Sequence, residues 1–177
     1  MGAHVNSAAS DDARLVMDSI RRIVRALRLF DRQAERSVRL SGAQVFVLQK
    51  LRDGEPVSIN ELAERTHTHQ SSVSVVVQKL VNQKLIRRAQ AATDARRVEL
   101  SLTAKGRALL KSAPAAAQDR LIAAIQQLNA PHRSQLARRL AELTQKMGIE
   151  DQQPSLFFED GLRRKGRSLR GNLKSEG

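Results

Sequence analysis

The chain contains no cysteine, tryptophan or tyrosine, and only four phenylalanines. Without cysteine there is no disulfide, no thiolate zinc site, no thiol nucleophile and no thiol redox sensor. Without large aromatics the core must be aliphatic, and Leu, Ile, Val and Ala at helical spacing are its natural material. No apolar run approaches the ~20 residues of a membrane-spanning helix. The opening stretch, MGAHVNSAASDDARL, lacks a basic segment followed by an apolar one. A secretory leader is therefore not expected, and a cytoplasmic location is. Acidic residues are also scarce, with 18 Asp and Glu against 31 Lys and Arg and a net charge of +13. Such a surplus draws polyanions, with nucleic acid the first candidate and an anionic membrane surface the second. What remains is 41% hydrophobic over 177 residues, enough for one cored domain with appendages.

Residues 1–10 are small and polar and read as a disordered terminus. Ser10 is the expected cap of a first helix, with Asp11 and Asp12 at the positive end of its dipole. Val16, Ile20, Ile23, Leu27, Phe30 and Ala34 step by 4 and 3, which is a heptad seam. Ser41 caps a second helix, Gly42 to Asp53, apolar on nearly every side and so central to a core. Ser58-Ile59-Asn60-Glu61 has the capping-box spacing and opens a short helix. After the polar turn Thr66-His67-Thr68, a further helix is expected from about His69 to Lys84. Its valines favour a strand by propensity, but Val73, Val76, Val77 and Leu80 sit at i, i+3, i+4 and i+7, and the segment is too long for a typical strand.

Residues 85–88 and 98–102 read as the strands of a β-hairpin, with the small, polar residues 89–95 as its seven-residue tip. Thr103 caps a long helix that Pro114 kinks or breaks. Asn129 caps the last helix, with Pro131 in its first turn and Gly148 at its end. Leu136, Leu140, Leu143 and Met147 make a second heptad-like seam there. Residues 149–177 read as a basic, flexible tail, rich in Arg163, Arg164, Lys165, Arg167, Arg170 and Lys174.

Two short helices, a tight turn and a hairpin, in that order across 41–103, make a winged helix-turn-helix. The expected fold class is mainly α with a small β-hairpin wing (α+β). The second short helix suits the major groove and the hairpin tip an adjacent minor groove. The expected DNA contacts are therefore His69, Gln70, Ser71, Ser72, Ser74, Val75, Gln78 and Lys79 on the helix, and Asp94, Arg96 and Arg97 in the wing. Gln pairs bidentately with adenine, Ser suits phosphate at a helix N-terminus, and Val75 suits a thymine methyl. Arg96 is the expected minor-groove residue, with Asp94 bracing it. No metal site or cofactor is expected: His67 and His69 are two apart across a turn, the wrong spacing for one helix face. No nucleophile–base pair, phosphate loop or carboxylate dyad points to an enzyme.

The stretch SINELAERTHTHQSSVSVVVQKLVNQKLIRR followed by TDARRVELSLTAKG resembles the MarR (multiple antibiotic resistance regulator) family. The resemblance rests on a D-x-R wing and a strand ending L-T-x-x-G, here Asp94, Arg96, Leu102, Thr103 and Gly106. It spans residues 11–147. It implies a homodimer joined through residues 11–40 and 104–148, a pseudo-palindromic double-stranded DNA operator, and repression relieved by a small, often aromatic and anionic, effector. Phe30, Gln44 and Phe46 are the candidate effector pocket. Three features depart from the family pattern: Lys84 replaces the usual Gly before the wing, Val75 stands where Arg is frequent, and the basic tail after Gly148 is an addition. A non-specific, nucleoid-type nucleic-acid binder is the alternative.

Overall fold

The structure is a computed structural model, and it describes residues 3–91, 97–152 and 154–159. The first helix, α1, runs from Ala3 to Val38. It thus begins seven residues before Ser10, which lies inside the helix and caps nothing. Ala8 and Ala9, strong helix formers, carry no stop signal between the two points. Only the second half of α1 enters the core, through Leu27, Phe30 and Ala34. Arg39 turns the chain out of the helix at φ 56°.

Helix α2, Gly42–Gln49, is the axle of the molecule. Its start is a full capping box: the Ser41 hydroxyl accepts from the Gln44 N–H, and the Gln44 side chain accepts from the Ser41 N–H. Residues 42–48 are all buried, as an all-round apolar helix requires. A two-residue strand, β1 (Val57–Ser58), leads into α3 (Ile59–Arg65), and α4 follows at Gln70–Asn82. Strands β2 (Ile86–Gln90) and β3 (Val98–Leu102) form the hairpin. The sheet is antiparallel in the order β1-β3-β2, with Val57 opposite Leu100 and Ile86 opposite Leu102.

The chain then breaks where one kinked helix was expected. Helix α5 spans Ala104–Leu110 and α6 spans Ala117–Gln127. Pro114 cannot continue the ladder of hydrogen bonds. Gln49 of α2 satisfies the freed backbone on both sides, donating to the Pro114 carbonyl (2.7 Å) and accepting from the Ala116 N–H (3.2 Å). Lys50 pairs with Asp119 beside it.

Helix α7, Ala130–Lys146, is capped by Asn129, whose side chain accepts from the His132 N–H. None of its residues is buried. Gly148 ends it at φ 64°. The chain does not leave the fold there. Residues 154–159 return to the fold beside α4, and Leu156, only 6% exposed, joins the core cluster. This corrects the expectation of a tail that is free from 149 onward. The apolar Leu-Phe-Phe at 156–158 has a core to join, and Leu156 joins it.

Candidate nucleic-acid interface

The reading helix is held from both ends. Below it, the Ser58 hydroxyl caps α3 by accepting from the Glu61 N–H. The Glu61 carboxylate does not complete the box; it pairs with Arg65, which also donates to the Lys50 carbonyl. Thr66 is buried and its hydroxyl donates back to the carbonyls of Leu62 and Ala63. His67, at φ 49°, makes the sharp turn, and His69 starts α4 without a side-chain cap.

Helix α4 divides its faces as the spacing predicts. Val73, Val76, Val77 and Leu80 have no exposed surface. Burying four such side chains is worth roughly 1.5–3 kcal/mol each, which outweighs the weak helix propensity of valine. On the opposite side His69, Gln70, Ser71, Val75 and Gln78 are exposed and Ser74 is half-buried. Val75 keeps 46% of its surface open, so an apolar contact is available in the middle of a polar face. Gln78 donates to the Asn82 side chain, which adds Asn82 to this face. Asn82 lies within the helix expected from sequence, and its i, i+4 spacing from Gln78 is the signal that places it on this face.

Ser72 is a correction, and Lys79 stands at the edge of the open face. Ser72 is buried at 6%, and its hydroxyl donates to the Pro154 carbonyl at 2.8 Å. Lys79 is half-buried and its ammonium donates to the Glu159 carbonyl at 3.1 Å. Both lie seven residues apart on one flank of α4, next to the valine stripe, and residues 154–159 run along that flank. Ser72 is therefore removed from the reading face.

The wing is joined to α4 by one built corner. Lys84 sits at φ 60°, the left-handed conformation that glycine adopts without cost. The Thr103 hydroxyl donates to the Lys84 carbonyl (2.8 Å) and the Thr103 N–H to the Leu85 carbonyl (3.0 Å). That same hydroxyl accepts from the Gly106 N–H (3.0 Å), capping α5. A Cβ on Gly106 would lie 2.3 Å from the Leu85 carbonyl oxygen. The L-T-x-x-G pattern is thus a corner in which threonine ties two backbone carbonyls and glycine admits one of them. Beyond it, Arg87 and Arg88 are exposed on β2, and Arg87 donates to the Ser101 hydroxyl. The pairing extends past the strands, where the Ala91 N–H donates to the exposed Arg97's carbonyl. Asp94 and Arg96 lie outside the described residues.

The three residues named from sequence for an effector pocket are buried. Phe30 and Phe46 belong to the core, and Gln44 spends its amide on the capping box and on the Gln83 side chain. Apolar side chains at these spacings packed as core, and the glutamine packed as a cap. A surface cavity of about 480 Å³ is lined by Arg52, Leu102, Arg107, Leu110, Lys111 and Ala113. Three cations over an apolar floor suit an anion with an apolar body. Among the described residues no group of three His, Asp or Glu side chains could hold a metal ion, and no helix is long and apolar enough to cross a membrane.

Residues 40–97 match the model of the MarR family. Among solved structures the chain resembles the transcriptional regulator BldR from Sulfolobus solfataricus at 25% identity, with 77% of this chain and 96% of that one covered and a TM-score of 0.51. Weaker overlays include Bordetella bronchiseptica BpsR, whose DNA binding is regulated by 6-hydroxynicotinic acid (25% identity, 76% and 98% covered, TM-score 0.47). Another is the S. aureus MepR–DNA complex (20% identity, 76% and 96% covered, TM-score 0.49). No curated protein sequence matches the chain significantly. BldR carries the fold comparison, and the family match falls on the segment that holds α2, α3, α4 and β2. The likeness to the MarR family thus rests on residues 40–97, and the likeness to BldR carries the winged helix-turn-helix fold.

Proposed function

We propose that this chain is a homodimeric, sequence-specific DNA-binding regulator that inserts α4 into the major groove. The observation that carries this reading is the split of α4: a stripe of three valines and a leucine with no exposed surface, backing an open face of Gln70, Ser71, Ser74, Val75, Gln78 and Asn82. Those side chains offer amide pairs for adenine, hydroxyls for phosphate and a methyl contact for thymine. His69 stands at the helix N-terminus, where backbone N–H groups favour phosphate. Arg97 and, from the sequence, Arg96 with its neighbour Asp94 supply the wing, where an arginine suits a narrow minor groove. Lys79 borders Val75 and contributes its charge at the edge of the face.

Dimerisation is supported by what α7 does not bury. A 17-residue helix in water needs tertiary packing to persist, and α7 buries nothing. Its seam remains open, with Leu140 48% and Met147 62% exposed. Val16 and Ile23, which precede the core-facing Leu27 on α1, are exposed as well. Two seams of this kind, from residues 11–40 and 104–148, are complementary to a second copy of themselves. Two heads related by a two-fold axis read an inverted repeat.

Repression is the direction expected for such a regulator, with a small anionic, often aromatic, effector as the releasing partner. The cavity at Arg52, Arg107 and Lys111 offers an anion more charge than the buried Phe30–Gln44–Phe46 cluster does. The test of the main reading is selection from random duplexes. The expected product is an inverted repeat with half-sites about one helical turn, roughly 10 base pairs, apart. Recovery of no common sequence would favour the nucleoid-type alternative.

A further inference from the structure

Helix α1 carries seven arginines and no lysine. Five of them, Arg14, Arg21, Arg25, Arg28 and Arg32, follow one another at steps of 7, 4, 3 and 4, so they form a single row. All five are exposed. The row spans about 27 Å at 1.5 Å per residue, and it lies roughly 150° around the helix from the buried Leu27, Phe30 and Ala34. Asp18 fills the gap in the row and pairs with Arg21 at 2.8 Å. Among the described residues no carboxylate pairs with Arg14, Arg25, Arg28 or Arg32. Like charges three and four apart destabilise a helix, so the row is a cost that a bound polyanion offsets. The row also points away from α4. Gly42 and Gln44 are roughly 200° apart around α2. A Cβ at Gly42 would meet the Phe30 ring of α1 at 3.1 Å, whereas the Gln44 amide donates to the Gln83 side chain, just past α4, at 3.4 Å. Helices α1 and α4 therefore flank α2 on opposite sides, each with its buried residues turned toward it. The duplex that α4 reads lies on the far side of the head from the arginines.

We propose that the arginine row of α1 binds the phosphates of a second DNA segment, so that the protein bridges two duplexes. The proposal rests on the reading of α4 only in calling this segment the second. Arginine's planar fork takes two phosphate oxygens at once, which suits a helix that uses arginine for every cation. A straight row of about 27 Å runs beside about 8 base pairs of duplex at ~3.4 Å each, so the backbone supplies a phosphate for every arginine. The dimer seam leaves the row open, because Val16, Ile20 and Ile23 continue the side of α1 that carries Leu27 and Phe30. A membrane surface fits less well. A membrane-bound helix sets its cations beside an apolar face that enters the lipid. Here the apolar face lies behind the arginines, and Leu27, Phe30 and Ala34 bury it in the core.

The experiment loads protein on an immobilised selected duplex and then offers a fluorescent random duplex in low salt, about 50 mM. Three proteins are compared: the full chain, the chain with all five row arginines changed to Gln, and the chain with the same five changed to Lys. Gln and Lys match Arg in helix propensity, and circular dichroism checks that each variant keeps its helices. All three should load equally on the immobilised duplex. The full chain should retain the second duplex, and the Gln variant should retain at least ~10-fold less. Each phosphate neutralised contributes about 0.9 to the slope of log K against log salt, so five lost contacts lower the slope for the second duplex by up to about 4.5. The Lys variant, which keeps the charge, should restore retention. Equal retention by the full chain and the Gln variant overturns the proposal, as does a Lys variant as weak as the Gln one. No retention by the full chain also overturns it. In that case, binding of phosphatidylserine vesicles or of polyglutamate by the full chain but not by the Gln variant would assign the row to a membrane or to an acidic protein. If the immobilised selected duplex captures no more protein than an immobilised random one, the reading of α4 fails instead, while the difference between the full chain and the Gln variant still decides the role of the row.

Discussion

Gly106→Ala sets two effects against each other, and the structure decides the sign. Gly106 lies inside α5, where replacing glycine by alanine gains about 1 kcal/mol from backbone propensity alone. The new Cβ, however, meets the Leu85 carbonyl oxygen at 2.3 Å and the Leu102 side chain at 3.3 Å. The first contact is about 1 Å too short, and it is with backbone, which cannot rotate away. Overpacking of this kind costs about 1–3 kcal/mol. Moving the Leu85 carbonyl also stretches its bonds from the Thr103 N–H and hydroxyl, each worth about 0.5–1.5 kcal/mol. The net expectation is a loss of about 2 kcal/mol, or a fall of roughly 4–8 °C in Tm for a chain of this size. DNA affinity falls too, because Leu85 is the last residue before β2 and a shift there re-aims the wing. Urea denaturation and a duplex titration measure both. A variant that is neutral or more stable would refute the corner as described and leave only helix propensity.

Three further outcomes follow from individual residues. Lys84→Gly relieves a left-handed lysine at about 1–2 kcal/mol, offset by the extra unfolded-state freedom of glycine. The variant should be about 0.5–1 kcal/mol more stable in denaturant; a loss would mean the exposed lysine side chain holds something in place. Leu136→Glu with Leu140→Glu places two carboxylates in the open seam of α7. Sedimentation should show a monomer that no longer binds the duplex, whereas an intact dimer would exclude α7 from the interface. Asp31 is buried and accepts from the Gly42 N–H at 2.7 Å. Its carboxyl is pushed above the usual carboxylate value, chiefly by burial, with Gly42 lowering it and Glu35 raising it. The folded chain therefore holds this proton more tightly than the unfolded one, and stability falls as pH rises from about 3.8 through the raised value. Asp31→Asn keeps the acceptor and removes the buried charge. Its Tm should exceed that of the parent at pH 7, with the difference shrinking toward pH 3; a constant difference would assign the effect to packing.

The parts of the fold that were legible are those written in local periodicity. The stripe at Val73, Val76, Val77 and Leu80 named the buried side of α4, and Ser41, Asn129 and Thr103 named three caps that the structure contains. Strand β1 was not legible, because two residues after Pro56 carry no alternation and Ser58 already served as a cap. The burial of Ser72 was invisible for a different reason: its partner lies 82 residues away, in a segment without period. Composition described that segment as part of a tail, since a single inserted leucine does not change the statistics of its surroundings. Phe30, Gln44 and Phe46 show the same limit. Sequence shows that such residues turn inward, but not that Gln44 binds Ser41 and Gln83 there.

The central claim is that the open face of α4 reads sequence rather than charge alone. It is tested by the ratio of affinities for a selected inverted repeat and for random duplex, measured at one fixed salt concentration near 0.15 M. The account predicts a ratio of ~10³ or more. It also predicts that Gln78→Ala lowers the ratio while leaving random-duplex binding unchanged, as loss of a base contact should. A ratio near one for the unaltered chain would contradict it, since the +13 charge by itself binds every sequence alike.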